Sequence, residues 1–477
     1  MHTENNRPPL DEAIAAIAEY FDSCEIESPL AWETAHYCLL DSLGCAFEAL
    51  SYPDCLQLIG PIVPGTVVPH GARVPGTPHV LDPVQAAFGF ATLVRWLDYN
   101  DAYTGRTVIH PSDCIGAIVA AADWASRTRR ARGRAPILMR EVMETIVKTY
   151  EVMGVLALEN AYTTDLKLDH VVLVKVACAA AVASLLGGTR AEIESAVSNA
   201  WIDGHALTTY RRKPNSGSRK SWAAADAGSR GVWLALLALK GEMGYPSALT
   251  AKTWGFYDVL GKGQPFRVSR PYGTHVIENV QFKVAYPAAF HAQTAAEAAI
   301  RMHPQVRDRI GEIDRIELWS HAYGLAILNK TGALHNFADR DHCLQYVIAV
   351  GLLHGRLAPT DYEDSVAADP RIDVLREKMI VQEDEAYTRA FGSVAQANPN
   401  ALRVHFTDGT ATERIVVEYP LGHPRRRVDG LPLLMEKFEK NLARVYGGSQ
   451  HARVLSMCKD RARLNAMPVH AVLDELV

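Results

Sequence analysis

Apolar, alanine-rich segments with helical spacing follow one another through the first half of the chain, and they restrict the fold to a largely helical one. In the first segment Ile14, Ile17 and Phe21 fall on one helix face. Asp11 and Glu12 precede them, where the helix dipole favours acidic side chains. Strand-like alternation is scarce in this half. The pattern therefore predicts further helices over residues 84–97, 115–126, 138–157, 171–186 and 223–239.

The pattern changes near residues 261–271, after which segments typical of strands appear. Residues 313–318 alternate apolar and charged side chains, as a half-buried strand does. Residues 402–406 and 415–419 alternate in the same way on either side of Asp408-Gly409, which predicts a hairpin. Further predicted helices are 292–302, 342–353 and 431–445.

These segments together predict the fold class and the domains. We expect a mainly α protein, in which both chain ends build a large all-helical domain and a smaller α+β lid domain is inserted. The predicted boundaries are 1–269 for the first part of the helical domain, 270–420 for the lid domain and 421–477 for the last part of the helical domain.

Charge and hydropathy exclude several classes of partner. The net charge of the 477-residue chain is -5, which argues against general nucleic-acid binding. The one dense basic run, 127–134, is predicted to be a solvated loop. The polar N-terminus shows no signal peptide, and Lys175 interrupts the most apolar stretch, so we expect neither secretion nor a membrane span.

The cysteines point to a reducing compartment. All eight are scattered, no Cys-x-x-Cys pair occurs, and most lie in apolar runs. We therefore expect a cytoplasmic protein without disulfides. The spacing also argues against an iron–sulfur cluster, whose thiolate ligands normally stand close together.

A dense polar cluster stands between two predicted helices. Three carboxylates, an amide and an imidazole lie between Asp98 and Asp113. Their burial costs free energy unless something pairs with them, and a polar substrate is the leading candidate. His110 precedes a predicted helix and is a candidate for contacting a carboxylate or for acid/base catalysis. The alternative is that His110 and Ser112 only cap that helix.

Other cations and imidazoles stand beside predicted helices and strands. Arg211-Arg212-Lys213 and Arg219-Lys220 place five cations in ten residues, which suits a polyanionic substrate, although a solvated loop is the commoner explanation. Lys283 and His291 precede another helix, and Tyr323 follows the first predicted strand. His170 is equally a helix cap or a ligand. We interpret 339–342 as a structural cluster of caps and ion pairs.

Familiar catalytic motifs are missing from the sequence. There is no His-Glu-x-x-His, no Gly-x-Ser-x-Gly and no glycine-rich nucleotide loop. The histidines are too dispersed for a zinc site. What remains is acid/base chemistry in which cations anchor carboxylates, with no metal and no cofactor.

Several motifs together resemble the MmgE/PrpD superfamily over about residues 10–468. They are Arg95-Trp96-Leu97-Asp98-Tyr99-Asn100-Asp101, His110-Pro111-Ser112-Asp113, Leu168-Asp169-His170-Val171, Arg219-Lys220-Ser221-Trp222-Ala223-Ala224, Gly244-Tyr245-Pro246-Ser247, Trp254-Gly255-Phe256-Tyr257-Asp258, Ala338-Asp339-Arg340-Asp341-His342-Cys343 and Gly422-His423-Pro424-Arg425-Arg426-Arg427.

The resemblance implies a homodimer with its active site between a helical domain and a lid domain. It also implies cofactor-free dehydration of 2-methylcitrate to 2-methyl-cis-aconitate in propionate breakdown. The site positions that it implies are Asp98, His110, His170, Lys220, Lys283, His291 and Tyr323. The basic loop adds Arg219 and Lys213 as candidates for substrate binding.

Two alternatives stay open. One is a cis-aconitate decarboxylase on the same scaffold, although the long 102–109 segment favours the dehydratase. The other is a non-catalytic tricarboxylate-binding protein, against which the two lysines and the histidine–aspartate set argue.

Overall fold

The structure is a computed structural model that describes residues 5–393 and 395–477. Helices dominate it, so the prediction of a mainly α fold is confirmed. The α-helices before residue 290 are α1 (Glu12–Ser23), α2 (Pro29–Ala49), α3 (Pro53–Leu56), α4 (Pro83–Arg95), α5 (Ile115–Ala131), α6 (Met139–Glu159), α7 (Val171–Leu185), α8 (Arg190–Ile202), α9 (Ala223–Ala238), α10 (Phe256–Val259) and α11 (His275–Glu278).

The rest of the chain adds shorter helices and most of the strands. The helices are α12 (Gln293–Val306), α13 (Ala322–Leu328), α14 (Phe337–Arg340), α15 (Leu344–His354), α16 (Asp364–Ala367), α17 (Pro370–Glu377), α18 (Glu385–Phe391), α19 (Arg427–Val445), α20 (Gly448–Lys459), α21 (Arg461–Ala466) and α22 (Val469–Glu475). The strands are β1 (Ala72–Arg73), β2 (Val80–Leu81), β3 (Ile313–Ser320), β4 (Met379–Glu383), β5 (Asn400–Phe406) and β6 (Ile415–Val417).

Helix α7 lies at the centre of the larger core. Apolar residues occupy all of its faces, with Lys175 as the charged exception, and all of its residues but Ser184 are buried. Such a helix needs neighbours on every side, which α6, α8 and α9 provide. Gly231 of α9 allows close packing, because a Cβ there would lie 2.8 Å from the carbonyl oxygen of Lys175.

The small region is built on a four-stranded sheet in the order β4–β3–β5–β6. The predicted strand and hairpin are confirmed, since β5 pairs antiparallel with both β3 and β6. The edge strand β4 runs parallel to β3 and was not predicted from the sequence. Helix α12 packs on β5 and β6, and α15 packs on α12. Together with the sheet they form a second apolar core.

The C-terminal helices return to the larger core. Leu434, Phe438 and Leu442 of α19 are buried there against α2, where Gly44 faces the Cα atom of Phe438. The second core holds residues between Ala288 and Val417. The domain boundaries at 269/270 and 420/421 stay predictions.

One prediction for the basic run is wrong. Arg127 to Ala131 form the last turns of α5, and only the residues from Arg132 onward leave the helix. The reason is local, since Arg127 pairs with Asp123 one turn earlier and basic side chains suit a helix C-terminus. Among the described residues, no helix combines the length and apolar character that crossing a bilayer requires.

Candidate active site

A cavity of about 740 Å³ lies between the two cores, and side chains from both regions line it. Its size is typical of a site for a small molecule. Five of the predicted site residues lie on its wall: Asp98, His110, His170, His291 and Tyr323.

Asp98 enters the cavity from a strained turn after α4. Asp82 caps the start of this helix with hydrogen bonds to two backbone amides, and Pro83 occupies its first position. The helix ends at Arg95, and Asp98 then adopts a φ of 48°. Left-handed backbone is unfavourable for a non-glycine residue, and it is concentrated at functional sites.

The Asp98 carboxylate is held by cations. Arg95 and Lys283 both donate to it, and the Lys283 Nζ atom lies 2.5 Å from Oδ1 and 2.7 Å from the Asp98 carbonyl oxygen. Burial would raise the pKa of Asp98, but Arg95 and Lys283 hold it well below its ordinary value. Burial in turn lowers the pKa of Lys283 to about 8, although Asp98 opposes the shift.

Lys220 belongs to the same group of buried charges. Its Nζ atom lies 2.5 Å from Asp341 Oδ2 and 3.1 Å from His342 Nδ1. His342 Nε2 is 3.4 Å from Asp98 Oδ2, so the imidazole joins the two ion pairs. Burial lowers the pKa of His342 to about 4, which keeps the ring neutral. We call Arg95, Asp98, Lys220, Lys283, Asp341 and His342 the buried charge network.

Asp98, Asp341 and His342 have the spacing of a metal-binding group. Their other contacts argue against a metal ion, because Arg95, Lys220 and Lys283 already bring three cations to the two carboxylates. A divalent cation would add like charge beside these groups in a buried site. The residues therefore do not fit a resident metal.

His110 is oriented by the backbone of the polar cluster. It begins the short helical turn Pro111–Cys114 that leads into α5, and its Nδ1 atom lies 2.6 Å from the carbonyl oxygen of Asp101. A carbonyl only accepts hydrogen bonds, so Nδ1 carries the proton and Nε2 keeps a free lone pair. Burial, together with Arg95, lowers the pKa of His110 well below its ordinary value.

His170 lies beside His110, and its pKa is shifted in the opposite direction. The two ring centroids are 5.6 Å apart. His170 Nδ1 lies 2.9 Å from Asp169, and Nε2 lies 3.4 Å from Asp113. Burial would lower the pKa of His170, but these carboxylates raise it above its ordinary value. The cavity therefore presents side by side one imidazole whose pKa is lowered and one whose pKa is raised.

The small region contributes an aromatic part of the wall. His291 lines the cavity with a buried Nδ1 atom that has no hydrogen-bond partner in the part of the chain described. Burial lowers its pKa well below the ordinary value. Phe391 stacks on His321 at 4.2 Å, and Tyr323 packs against Phe391 with 46% of its surface exposed.

Two arginines on the wall carry charge that the protein does not neutralise. Within residues 5–393 and 395–477, neither Arg212 nor Arg270 forms an ion pair with a carboxylate, whereas neighbouring Arg211 pairs with Asp169 at 2.6 Å. We call Arg212 and Arg270 the outer arginines. They are available to bind a substrate carboxylate.

The remaining predicted residues fall elsewhere. Lys220 and Lys283 lie behind the wall, each on a carboxylate. Lys213 is exposed and donates to the Asn329 carbonyl oxygen, and Arg219 pairs with Asp226 and stacks on Trp222. Neither Lys213 nor Arg219 lines the cavity, because the helical turn Ser218–Ser221 directs Lys220 inward and leaves Arg219 partly exposed.

Sequence reasoning missed other residues of the site. The expected ion pairs of 339–342 are present, since Asp339 pairs with Lys330, Arg340 with Asp364 and Asp341 with Lys220. His342, however, also lines the cavity, and the residue that precedes α15 is Cys343, which makes no side-chain cap. Arg270 was not predicted, whereas Arg212 was named only within the basic loop and Arg95 only within a family motif. The signal available for His342 was its place beside an aspartate, at the start of a helix within a matched motif.

Two family models match this chain. The model of the MmgE/PrpD N-terminal domain matches residues 15–269, and that of the MmgE/PrpD C-terminal domain matches residues 286–461. The chain belongs to the MmgE/PrpD family.

Three similar proteins carry the name 2-methylcitrate dehydratase. A protein of Salmonella typhi named 2-methylcitrate dehydratase is 55% identical over 477 residues, which is 99% of each chain. One of Cupriavidus necator with the same name is 55% identical over 98% of this chain and 97% of its own length. A mitochondrial 2-methylcitrate dehydratase of Yarrowia lipolytica is 46% identical over 95% of this chain and 88% of its own.

Proposed function

We propose that this protein is a hydro-lyase that eliminates water from 2-methylcitrate to give 2-methyl-cis-aconitate, without a metal or cofactor, in propionate breakdown. The observation that carries the proposal is the pair of imidazoles in the cavity, 5.6 Å apart, in which His110 keeps a free Nε2 lone pair and His170 lies between two carboxylates. Elimination of water needs one group that takes a proton and another that gives one. The names of the similar proteins support the same reaction.

The cavity wall matches the parts of the substrate. The outer arginines, Arg212 and Arg270, offer guanidinium groups to its carboxylates. An apolar cluster that includes Phe290, Phe391 and Val108 faces the same cavity and suits the methyl group that distinguishes 2-methylcitrate from citrate. His291, with its unpartnered Nδ1, is a further hydrogen-bonding group.

The carbon acid loses its proton to His110. Nε2 of this ring has its lone pair free, because Nδ1 donates to the Asp101 carbonyl oxygen. As the C–H bond breaks, negative charge accumulates on the neighbouring carboxylate of the substrate. Cations fixed in a buried site stabilise such charge more strongly than water does. Asp98 is the poorer candidate for the base, since its carboxylate already accepts hydrogen bonds from Arg95 and Lys283.

The leaving hydroxyl needs a proton from a second group on the cavity wall. His170 is a candidate for this role, because the carboxylates of Asp169 and Asp113 raise its pKa, and Tyr323, which lines the same cavity, is the alternative. Lys220 and Lys283 support the reaction through Asp341 and Asp98, since both ammonium groups lie behind the wall in this conformation. They hold the buried charge network in one arrangement.

The test is a direct assay on purified protein treated with a chelator. With 2-methylcitrate we expect ultraviolet absorbance to rise as the conjugated double bond forms. Release of carbon dioxide from cis-aconitate, without turnover of 2-methylcitrate, would select the decarboxylase. Saturable binding without turnover would select a tricarboxylate-binding protein.

Quaternary structure and location complete the proposal. A homodimer is supported by the exposed apolar segment that contains Ile62 and Val67, each 84% exposed, because soluble monomers rarely present such patches. Light scattering on the purified protein tests this: twice the chain mass supports it and a single chain mass contradicts it. A cytoplasmic location is supported by the eight cysteines, all of which are free thiols.

A further inference from the structure

Beneath the buried charge network, one lysine contacts the backbone next to both Asp98 and Lys283. The Nζ atom of Lys437, on α19, lies 2.7 Å from the carbonyl oxygen of Tyr99 and 3.0 Å from that of Lys283. We propose that Lys437 is a positioning residue, which fixes the backbone that presents Asp98 and Lys283 to the active site. This inference rests on the proposed dehydratase function.

Every hydrogen of the Lys437 ammonium group has a hydrogen-bond acceptor. It has three hydrogens, and its third acceptor is Asp41 Oδ1 of α2, at 2.8 Å. The side chain is 4% exposed, and its Nζ atom lies 3.6 Å from the centroid of the Tyr99 ring. Tyr99 donates its own hydroxyl to the carbonyl oxygen of Val284, the residue after Lys283. Two chain segments 185 residues apart are therefore joined through one cation.

The acceptors distinguish positioning from simple ion pairing. A structural ion pair needs only Asp41, and Asp41 Oδ2 makes no hydrogen bond within the described residues. Lys437 instead places two of its three hydrogens on carbonyl oxygens of the active-site segments. Displacements of about 1 Å in a catalytic group can lower turnover about 100-fold, so this link bears directly on catalysis.

The central experiment compares two ways of weakening the same ion pair. Lys437→Met removes all three donors at similar size, whereas Asp41→Asn removes the charge but keeps an oxygen acceptor for Lys437. We expect Lys437→Met to lower kcat about 100-fold with KM changed less than about threefold, measured per folded molecule. For Asp41→Asn we expect at most about a tenth of that loss in kcat.

A matched control comes from another buried lysine. Lys148 is 8% exposed, pairs with Glu144 at 2.9 Å and donates to the Phe21 carbonyl oxygen, away from the cavity. Lys148→Met therefore lowers thermal stability in the same way but is expected to leave kcat within about twofold. Circular dichroism melting of each variant gives the stability scale for this comparison.

Hydrogen exchange supplies a readout that does not depend on the assigned reaction. Lys437→Met is expected to speed amide exchange in the peptides that contain Asp98–Tyr99 and Lys283–Val284, and Lys148→Met is not. If the parent protein fails to turn over 2-methylcitrate, the proposed function fails, while this exchange pattern still tests the positioning role. Should Lys437→Met fold poorly, the double variant Asp41→Asn with Lys437→Met avoids the unpaired charge and is measured in its place.

Two results would overturn the proposal. One is a folded Lys437→Met or double variant with kcat within about twofold of the parent. The other is equal losses of kcat in Lys437→Met and Asp41→Asn with unchanged exchange in both peptides, which would leave Lys437 as a structural ion-pair partner only.

Discussion

The buried charge network and the outer arginines differ in whether their cations have carboxylate partners within the protein. In the network every cation has a carboxylate partner: Lys220 on Asp341, and Arg95 and Lys283 on Asp98. Arg212 and Arg270, on the wall of the same cavity, have no ion-pair partner among the residues described. Paired charges fix a geometry before substrate arrives, whereas unpaired ones gain a partner only when an anion binds. We therefore expect the network to govern turnover and the outer arginines to govern substrate binding.

The largest effect is expected for Lys283→Met. It leaves Asp98 with Arg95 and His342 and removes the cation that holds the carboxylate at 2.5 Å. We expect kcat to fall about 1000-fold, a loss comparable to removal of a preorganised electrostatic group. A loss confined to KM would contradict the assignment of the network to turnover.

The pH profile of the parent protein tests the same group. Because the pKa of Lys283 is about 8, kcat/KM is expected to fall as pH rises through about 8, and Lys283→Met is expected to lose this limb. An increase through the same range would mean that the neutral amine acts as a base. The unfolded chain keeps the proton up to the ordinary value of 10.5, so Lys283 makes the free energy of unfolding rise with pH between these values.

His110→Gln tests the reacting pair beside the network. The amide preserves hydrogen bonding to the Asp101 carbonyl oxygen but cannot accept the substrate proton. We expect kcat to fall about 100- to 1000-fold, within the range of lost general-base catalysis, with thermal stability nearly unchanged. If kcat changes less than about fivefold, the base lies elsewhere.

Arg212→Gln tests the other side of the comparison. The loss of one charge-assisted contact to a carboxylate corresponds to about 1.5–3 kcal/mol, so KM is expected to rise about 10- to 100-fold with kcat changed little. Steady-state kinetics separate the two quantities. A large loss of kcat at unchanged KM would remove the distinction between the two sets of cations.

The smallest effect is expected for Arg219→Gln. The sequence placed Arg219 among the binding residues, whereas the structure pairs it with Asp226 outside the cavity. We expect kcat and KM within about twofold of the parent, since an exposed ion pair contributes little. A KM increase as large as that of Arg212→Gln would mean that Arg219 does bind the substrate.

Much of the fold was predictable from apolar spacing, and its failures have local causes. The helices 84–97, 115–126 and 171–186 were predicted within a few residues because one composition persists over several turns. Helix α2 was missed, since its buried face also carries polar residues such as Thr34 and Asp41, which blur the period. Strand β4 was missed because it is short and mostly exposed.

The site was partly predictable for a different reason. Asp98, His110 and His170 stand in motifs dense in polar residues, which burial would penalise without a function. Whether a lysine meets the cavity or a carboxylate behind it depends on the direction in which the local turn points its side chain. Adjacent residues such as Arg219 and Lys220 have the same local composition, so the sequence offered no means to separate them.

The sequence by itself determined the helical class, the sheet of the small region, the family and five residues of the cavity wall, because periodicity and motif composition are local properties of the chain. Only the tertiary structure decided which charges pair and which stay free, since those contacts join residues such as Lys220 and Asp341, 121 positions apart. It also decided the opposite pKa shifts of His110 and His170. That difference comes from burial and from neighbours brought together by packing.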